Sequence, residues 1–343
     1  MASRPSSPFL QEDRNFNWGS PRGRSAAFPE ALGIGRTPQP RSPRPRSPSY
    51  PEDPNVPPSP LKRRVSSHDQ LTGLLAKLNV PRKGETYDLN VVIHQSSELG
   101  VTAQEKAAYI QQTEKFHKWL AVKDSALLHV EAQLDPTALG KTSPMSFFCA
   151  NLIRVFQAMD LRVAVVLHFF CSQHFASNSR LQGPKGLITS LLAQLIHALL
   201  DNWPEYHSGI EIDLGELLSN DNPIPTEIQL QLIRALLGHV PPQTTVFCVV
   251  DDISRFEKQE WSPEYWELIN LLNDIIYNQE ATGAKFKLLM TSPTRSKWLK
   301  GKVPTEQLLE LADRGHPTGI GSEKVLRSHT QAVVESVLLQ MHD

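Results

Sequence analysis

Two short stretches carry residue types at a spacing suited to phosphate chemistry. The first is Asp135-Pro136-Thr137-Ala138-Leu139-Gly140-Lys141-Thr142. Its last three residues match the end of the pattern GxxxxGK[ST]. In that pattern backbone N–H groups cradle phosphates, the lysine reaches the β/γ-phosphates and the hydroxyl holds Mg²⁺. Gly140 and Lys141 then become phosphate contacts, and Thr142 a contact to phosphate and metal. Asp135 stands where the pattern has its first glycine, and its carboxylate would repel an anion. Pro144 brings no N–H to the first turn of the following helix. Register is open too: if the apolar face of that helix sets the alignment, Thr142 rather than Lys141 takes the lysine's place.

The second stretch is Val249-Val250-Asp251-Asp252-Ile253. An apolar strand ending in two carboxylates is what a Mg²⁺-dependent NTPase needs. Asp251 would hold the metal through water, and Asp252 would position the attacking water as the catalytic acid. An acidic pair at a strand end also serves as a helix cap or a solvated turn. A third strand end, Thr291-Ser292-Pro293, offers a hydroxyl that senses a γ-phosphate in such sites, although a Ser/Thr turn before proline is equally ordinary. The histidines show no HExxH spacing, and no G-x-S-x-G elbow is present. Both facts argue against a zinc or serine hydrolase.

The elements that must position these residues are legible as alternating helix and strand patterns. Short apolar runs at Ser125–Val130, Arg162–Phe170, Thr245–Val250, Lys285–Met290 and Gln307–Leu311 predict five strands. Their lack of polar alternation predicts burial on both faces, as in a parallel sheet. Helices are predicted between them, with capping boxes at Thr102–Glu105 and Thr226–Gln229, and Ser262-Pro263 as N-cap and first-turn proline. Tyr109, Thr113, Phe116 and Leu120 predict one continuous helical face. A last helix is predicted over Ser322–Met341. The fold class is therefore α/β: a P-loop NTPase-like parallel sheet of about five strands flanked by helices. Ligands of such sheets sit beyond the C-terminal strand ends.

The 343 residues divide unevenly in charge. Residues 1–70 hold 11 Lys+Arg against 6 Asp+Glu, a net of +5, with 14 of the 27 prolines; the remainder nets −6. That composition predicts a disordered N-terminal tail. The domains expected are the tail (1–70), a helical lead-in (71–122) and the P-loop NTPase-like domain (123–343). Ser-Pro pairs, Ser59 among them, and Arg63-Arg64-Val65-Ser66 make the tail a kinase substrate, with Ser59 and Ser66 as candidates. Three cysteines without paired spacing argue against a disulfide framework and for a reducing compartment. No membrane span or signal peptide is expected, and the net charge of −1 indicates no specific nucleic acid. A cytoplasmic protein is expected, with Lys62-Arg63-Arg64 a short candidate nuclear address.

From about Phe116 to Leu311 the chain resembles the P-loop core of fungal STAND-type NTPases, the NACHT-like group. The residues that carry it are Phe116–Leu120 before Leu127–Val130, Leu187–Ile196 as an "SLLxQL" helix, Thr245–Asp252 as a Walker B strand and Lys287–Pro293 as a sensor strand. The resemblance implies ATP or GTP binding with Mg by a molecular switch that engages protein partners. It would place Lys141 on the phosphates, Thr142 and Asp251 on Mg²⁺ and Asp252 on the water. Ser254-Arg255 stands where some members have Asp-Glu, and the family's winged-helix lid and repeats are not expected here. Two readings follow: a nucleotide-binding signalling switch of doubtful hydrolysis, or a pseudo-NTPase scaffold regulated through its phosphorylated tail.

Overall fold

The computed structural model describes residues 67–96, 99–134, 142–159, 164–203, 214–278, 284–311, 328 and 330–335. Residues 1–66, with Ser59 and Ser66, and most of the last predicted helix lie outside them, and the last four residues expected as tail already belong to a helix. Helices α1 (Ser67–Leu78), α2 (Gly84–Ser96), α3 (Val101–Gln112) and α4 (Glu114–Ala121) precede the first strand, β1 (Ala126–Ala132). Then follow α5 (Pro144–Gln157), β2 (Ala164–Phe170), α6 (Gly183–Asn202), α7 (Gly215–Ser219) and α8 (Thr226–Leu237). Strand β3 (Thr245–Asp251), α9 (Ser262–Tyr277), β4 (Lys285–Ser292) and β5 (Leu308–Leu311) complete the sheet.

All strand pairs are parallel, in the order β2-β3-β4-β1-β5. The five predicted strands and the α/β class are therefore present. The chain leaves β1 leftwards to β2 through α5, then returns rightwards through α6 and α8 to β3 and through α9 to β4. Right-handed crossovers in opposite directions must lie on opposite faces. The two cores show this. One gathers α1, α6, α8 and α9, the other α2 to α5. Strand alternation feeds both: Val246, Cys248 and Val250 of β3 enter the first, Phe247 and Val249 the second.

Helix α5 is covered on both sides, by the sheet and by α2 and α3, which explains a sequence apolar all round. Phe156 stacks on Phe247 with ring centroids 3.9 Å apart, and Phe148 meets Phe116 edge-on at 5.6 Å. On the same face, buried Lys287 of β4 donates to Trp119 O at 3.0 Å and to Val122 O, satisfying carbonyls at the end of α4. Burial, aided by Lys285, holds its pKa down at about 7.

Several helix starts differ from expectation. Gly100, not Thr102, caps α3, and Pro225 precedes α8, with Thr226 already helical. Gln229 instead donates to Ile224 O at 2.9 Å, bracing the incoming loop. Trp261 is the cap residue of α9, so Ser262 lies one position inside the helix. The face through Tyr109 and Leu120 is interrupted. Thr113 is extended (φ −76°, ψ 140°) and its hydroxyl accepts from Phe116 N at 3.3 Å, so α4 starts anew there. A short hydroxyl side chain offers the backbone this alternative to continuing a helix.

Both sheet edges are occupied by side chains. On β2, buried His168 has its outward N–H bonded to Gln194 Oε1 at 2.9 Å and its C=O to Gln194 Nε2 at 2.8 Å. The glutamine of the "SLLxQL" helix thus stands in for a neighbouring strand. On β5, Lys115 Nζ donates to Leu308 O at 2.7 Å. Such plugs keep an edge from recruiting another strand. Gln194→Ala leaves two buried backbone groups unpaired and is expected to cost about 2–4 kcal/mol. Gln194→Glu, which cannot donate to the carbonyl, should rescue it only in part. Urea denaturation measures both; a loss below about 0.5 kcal/mol for the alanine variant would remove this role.

Candidate functional site

Strands β3 and β4 bring residues of their C-terminal ends together on the α5 face. By alternation from Phe247 and Val249, Asp251 points to α5; by alternation from Lys287 and Leu289, so does Thr291. Thr291 Oγ1 donates to Asp251 Oδ1 at 2.7 Å and accepts from Asp252 N at 3.0 Å. Asp251 is fully buried, and its Oδ2 makes no hydrogen bond. Burial pushes its pKa up, while the Ser146 hydroxyl, Thr291 and the Cys149 thiol pull the other way.

Asp252 turns out of the strand. It adopts a left-handed conformation (φ 57°, ψ 47°), which aspartate tolerates better than most residues. Its Oδ2 accepts from Arg255 Nε at 2.8 Å and its Oδ1 from Ser254 Oγ at 3.1 Å. Burial, and then the charge of Asp251, raise its pKa to about 7 against the pull of Arg255.

Gly140, Lys141 and Asp135 lie outside the described residues. Thr142 is described, and its hydroxyl donates to Gln95 Oε1 of α2 at 2.5 Å. Helix α5 begins after it. Ser143 is the N-cap; its Oγ accepts from Ser146 N at 3.1 Å, and Ser143 N donates to Ser146 Oγ at 3.1 Å, a reciprocal box. Pro144 has no N–H, and Phe147 N is bonded to Ser143 O. An anion at a helix N-terminus needs free N–H donors. Of the first four residues of α5, only Met145 has an N–H not used in these bonds.

A second polar cluster stands beyond β1, β3 and β4. Ser296 N donates to Glu131 Oε1 at 3.0 Å, its hydroxyl donates to Glu257 Oε1, and Lys297 N donates to Glu257 Oε2 at 2.7 Å. Burial raises the pKa of both glutamates. These bonds pin the loop after β4 beside a cleft of about 550 Å³ lined by Gln133, Leu134, Ser254, Glu257, Arg295 and Lys297, among others. Sequence reading missed Glu131, Glu257, Ser146 and Gln95. The signal for Glu131 was a carboxylate in a strand polar elsewhere only at His129, and that for Ser146 its spacing of three from Ser143; nothing local marked Glu257 or Gln95.

The structure thus joins Asp251, Asp252 and Thr291 and ties Thr142 to α2. The fit to a magnesium nucleotide is poor among these residues. Thr142 and one Asp251 oxygen are engaged, Asp252 is ion-paired, and the helix end is capped by its own serines. Only Asp251 Oδ2 is an unpaired oxygen of the kind a metal would take. No group of three or more His, Cys, Asp or Glu suited to a metal occurs among the described residues. No helix among them is long and apolar enough to cross a membrane.

The parallel sheet, with a strand–helix unit at β1–α5 and carboxylates ending β3, is compatible with the P-loop-like α/β class. The model of the family Nephrocystin 3, N-terminal, matches residues 107–293, more than half of the chain, and the protein belongs to that family. That family is related to NACHT and P-loop regions. No curated protein and no solved structure matches.

The carboxylate pair predicts a pH signature. With a folded pKa of about 7 against an ordinary value of 3.8, Asp252 keeps its proton in the fold where the unfolded chain has lost it. Stability from this group is therefore full below about pH 4 and is lost as pH rises to 7. His129 and His168, which burial holds at about 4, act oppositely: their contribution is present above pH 6.5 and lost on acidification toward 4. Subtracting the pH–stability curve of Asp252→Asn from that of the unaltered protein should leave a difference that falls between pH 4 and 7. A flat difference would place the Asp252 pKa near its ordinary value.

Proposed function

We propose that this chain is a pseudo-NTPase interaction module: a P-loop-type scaffold that presents surfaces to protein partners without using nucleotide as cofactor. The observation that carries this reading is the Ser143–Ser146 box at the start of α5. It occupies the N–H donors of Ser143 and Ser146 at the helix start, where a phosphate of this fold class would look for donors. Two further facts support it. Both carboxyl oxygens of Asp252 already accept bonds within the chain, from Ser254 and Arg255, which leaves neither without a partner to orient water. The family description is compatible with a signalling or interaction domain. Regulation would then come through phosphorylation of the basic tail at Ser59 and Ser66, each phosphate adding roughly −1.5 to −2 charge. The reading places the protein in the cytoplasm or nucleus, where such kinases act.

A second reading, a nucleotide-binding switch, is favoured by one observation, the unpaired Oδ2 of Asp251. In it Lys141 and Gly140 contact phosphate and Asp251 reaches Mg²⁺. Calorimetric titration of the full chain with ATP and GTP, with and without Mg²⁺, decides between them. The scaffold reading expects no Mg²⁺-dependent binding up to millimolar nucleotide, and no change with Lys141→Ala. A working site would instead stabilise the fold by about 2.7 kcal/mol at a hundredfold excess over its Kd. Micromolar binding lost in Lys141→Ala would replace the scaffold by the switch.

A further inference from the structure

A phosphate loop that holds Mg²⁺ must place its Ser/Thr hydroxyl beside the carboxylate ending the Walker B strand, since both contact one metal. Which hydroxyl meets Asp251 therefore fixes the register of the loop. The one that sequence matching selects, Thr142, bonds Gln95 of α2 and precedes the N-cap of α5. On α5, which packs on β3, the buried hydroxyl of the first turn is that of Ser146, whose influence reaches the Asp251 carboxyl, with Cys149 one turn further along the same side. Both are buried, on the face that β3 alternation assigns to Asp251.

We propose that Ser146, not Thr142, occupies the position of the phosphate-loop hydroxyl, so that Met145 stands where the lysine would be and Pro144 where the glycine before it would be. Lysine and hydroxyl are adjacent in the pattern GxxxxGK[ST], so the one assignment entails the others. Met145 is fully buried and carries no charge. The Gly-Lys-Thr tripeptide is then a coincidence of sequence four residues out of register. This inference rests on the pseudo-NTPase reading, and it gives that reading a cause: the cation that would meet the phosphates is replaced by a thioether.

Double-mutant cycles in the full chain test it, read by urea denaturation. Ser146→Ala and Asp251→Asn should be non-additive by threefold or more in the folding equilibrium constant, as for residues in contact. Thr142→Ala and Asp251→Asn should add within about twofold. Thr142→Ala and Gln95→Ala should couple by threefold or more. Coupling of Thr142 to Asp251, or no coupling of Ser146 to Asp251, overturns the assignment. If Asp251→Asn does not fold, the Thr142–Gln95 cycle alone decides, and additivity there overturns it. The two readings fail separately. Mg²⁺-dependent ATP binding abolished by Lys141→Ala sinks both, whereas no ATP binding with an uncoupled Ser146–Asp251 pair sinks only the register.

Discussion

Asp251 sits at the end of a strand buried on both faces, out of reach of water. An ionised carboxylate there is costly unless its oxygens are met. The neighbouring chemistry follows from that constraint. Thr291 is turned toward it by the alternation of β4 and spans two duties, donating to the Asp251 side chain and accepting from the Asp252 backbone. This one hydroxyl locks the end of β3 to the end of β4. Asp252 cannot share the pocket with a like charge. Its left-handed backbone carries it round to Arg255, three residues on, which supplies the compensating cation from within the chain.

The same economy governs α5. Held between the sheet and the α2–α3 layer, it meets part of the donor demand of its first turn locally. Two serines satisfy each other's backbone across the first turn, and the preceding threonine is drawn off to α2. The first turn of the helix is thus braced by hydroxyls of its own chain. The loop after β4 is treated likewise, with Glu131 and Glu257 accepting its N–H and hydroxyl groups.

The sheet was legible because period and burial speak in the local sequence. Val246 to Val250 are apolar without a break, and only a two-faced core explains that. Helix starts were less so. Thr102 and Thr226 carry the letters of a capping box, yet backbone conformation, set by the incoming loop, decides which residue is the cap. Thr113 shows the converse, a residue that fits a helical face but breaks it with its own hydroxyl. In the site, Asp251 and Thr291 were readable as strand ends. Arg255 was noted only as a departure from a pattern, because its pairing with Asp252 depends on a left-handed residue that spacing does not reveal. Gln95 depends on how α2 meets the start of α5, which no local spacing encodes, whereas Ser146 lay three residues from Ser143 in an ordinary capping spacing.

The strand order has a consequence for synthesis. Ala126 pairs with Lys287, 161 residues later (287 − 126), and the other neighbour of β1 begins only at Leu308. At roughly 5–20 residues per second, β1 waits about 10–30 s on the ribosome for either partner. During that interval β2 and β3 are made and can pair, while β1 has only its helices for cover. The most central steps of assembly therefore come last, when β4 slots between strands already present. Contacts of such long sequence separation slow folding, and they make β1 the segment most dependent on shelter until β4 has been made.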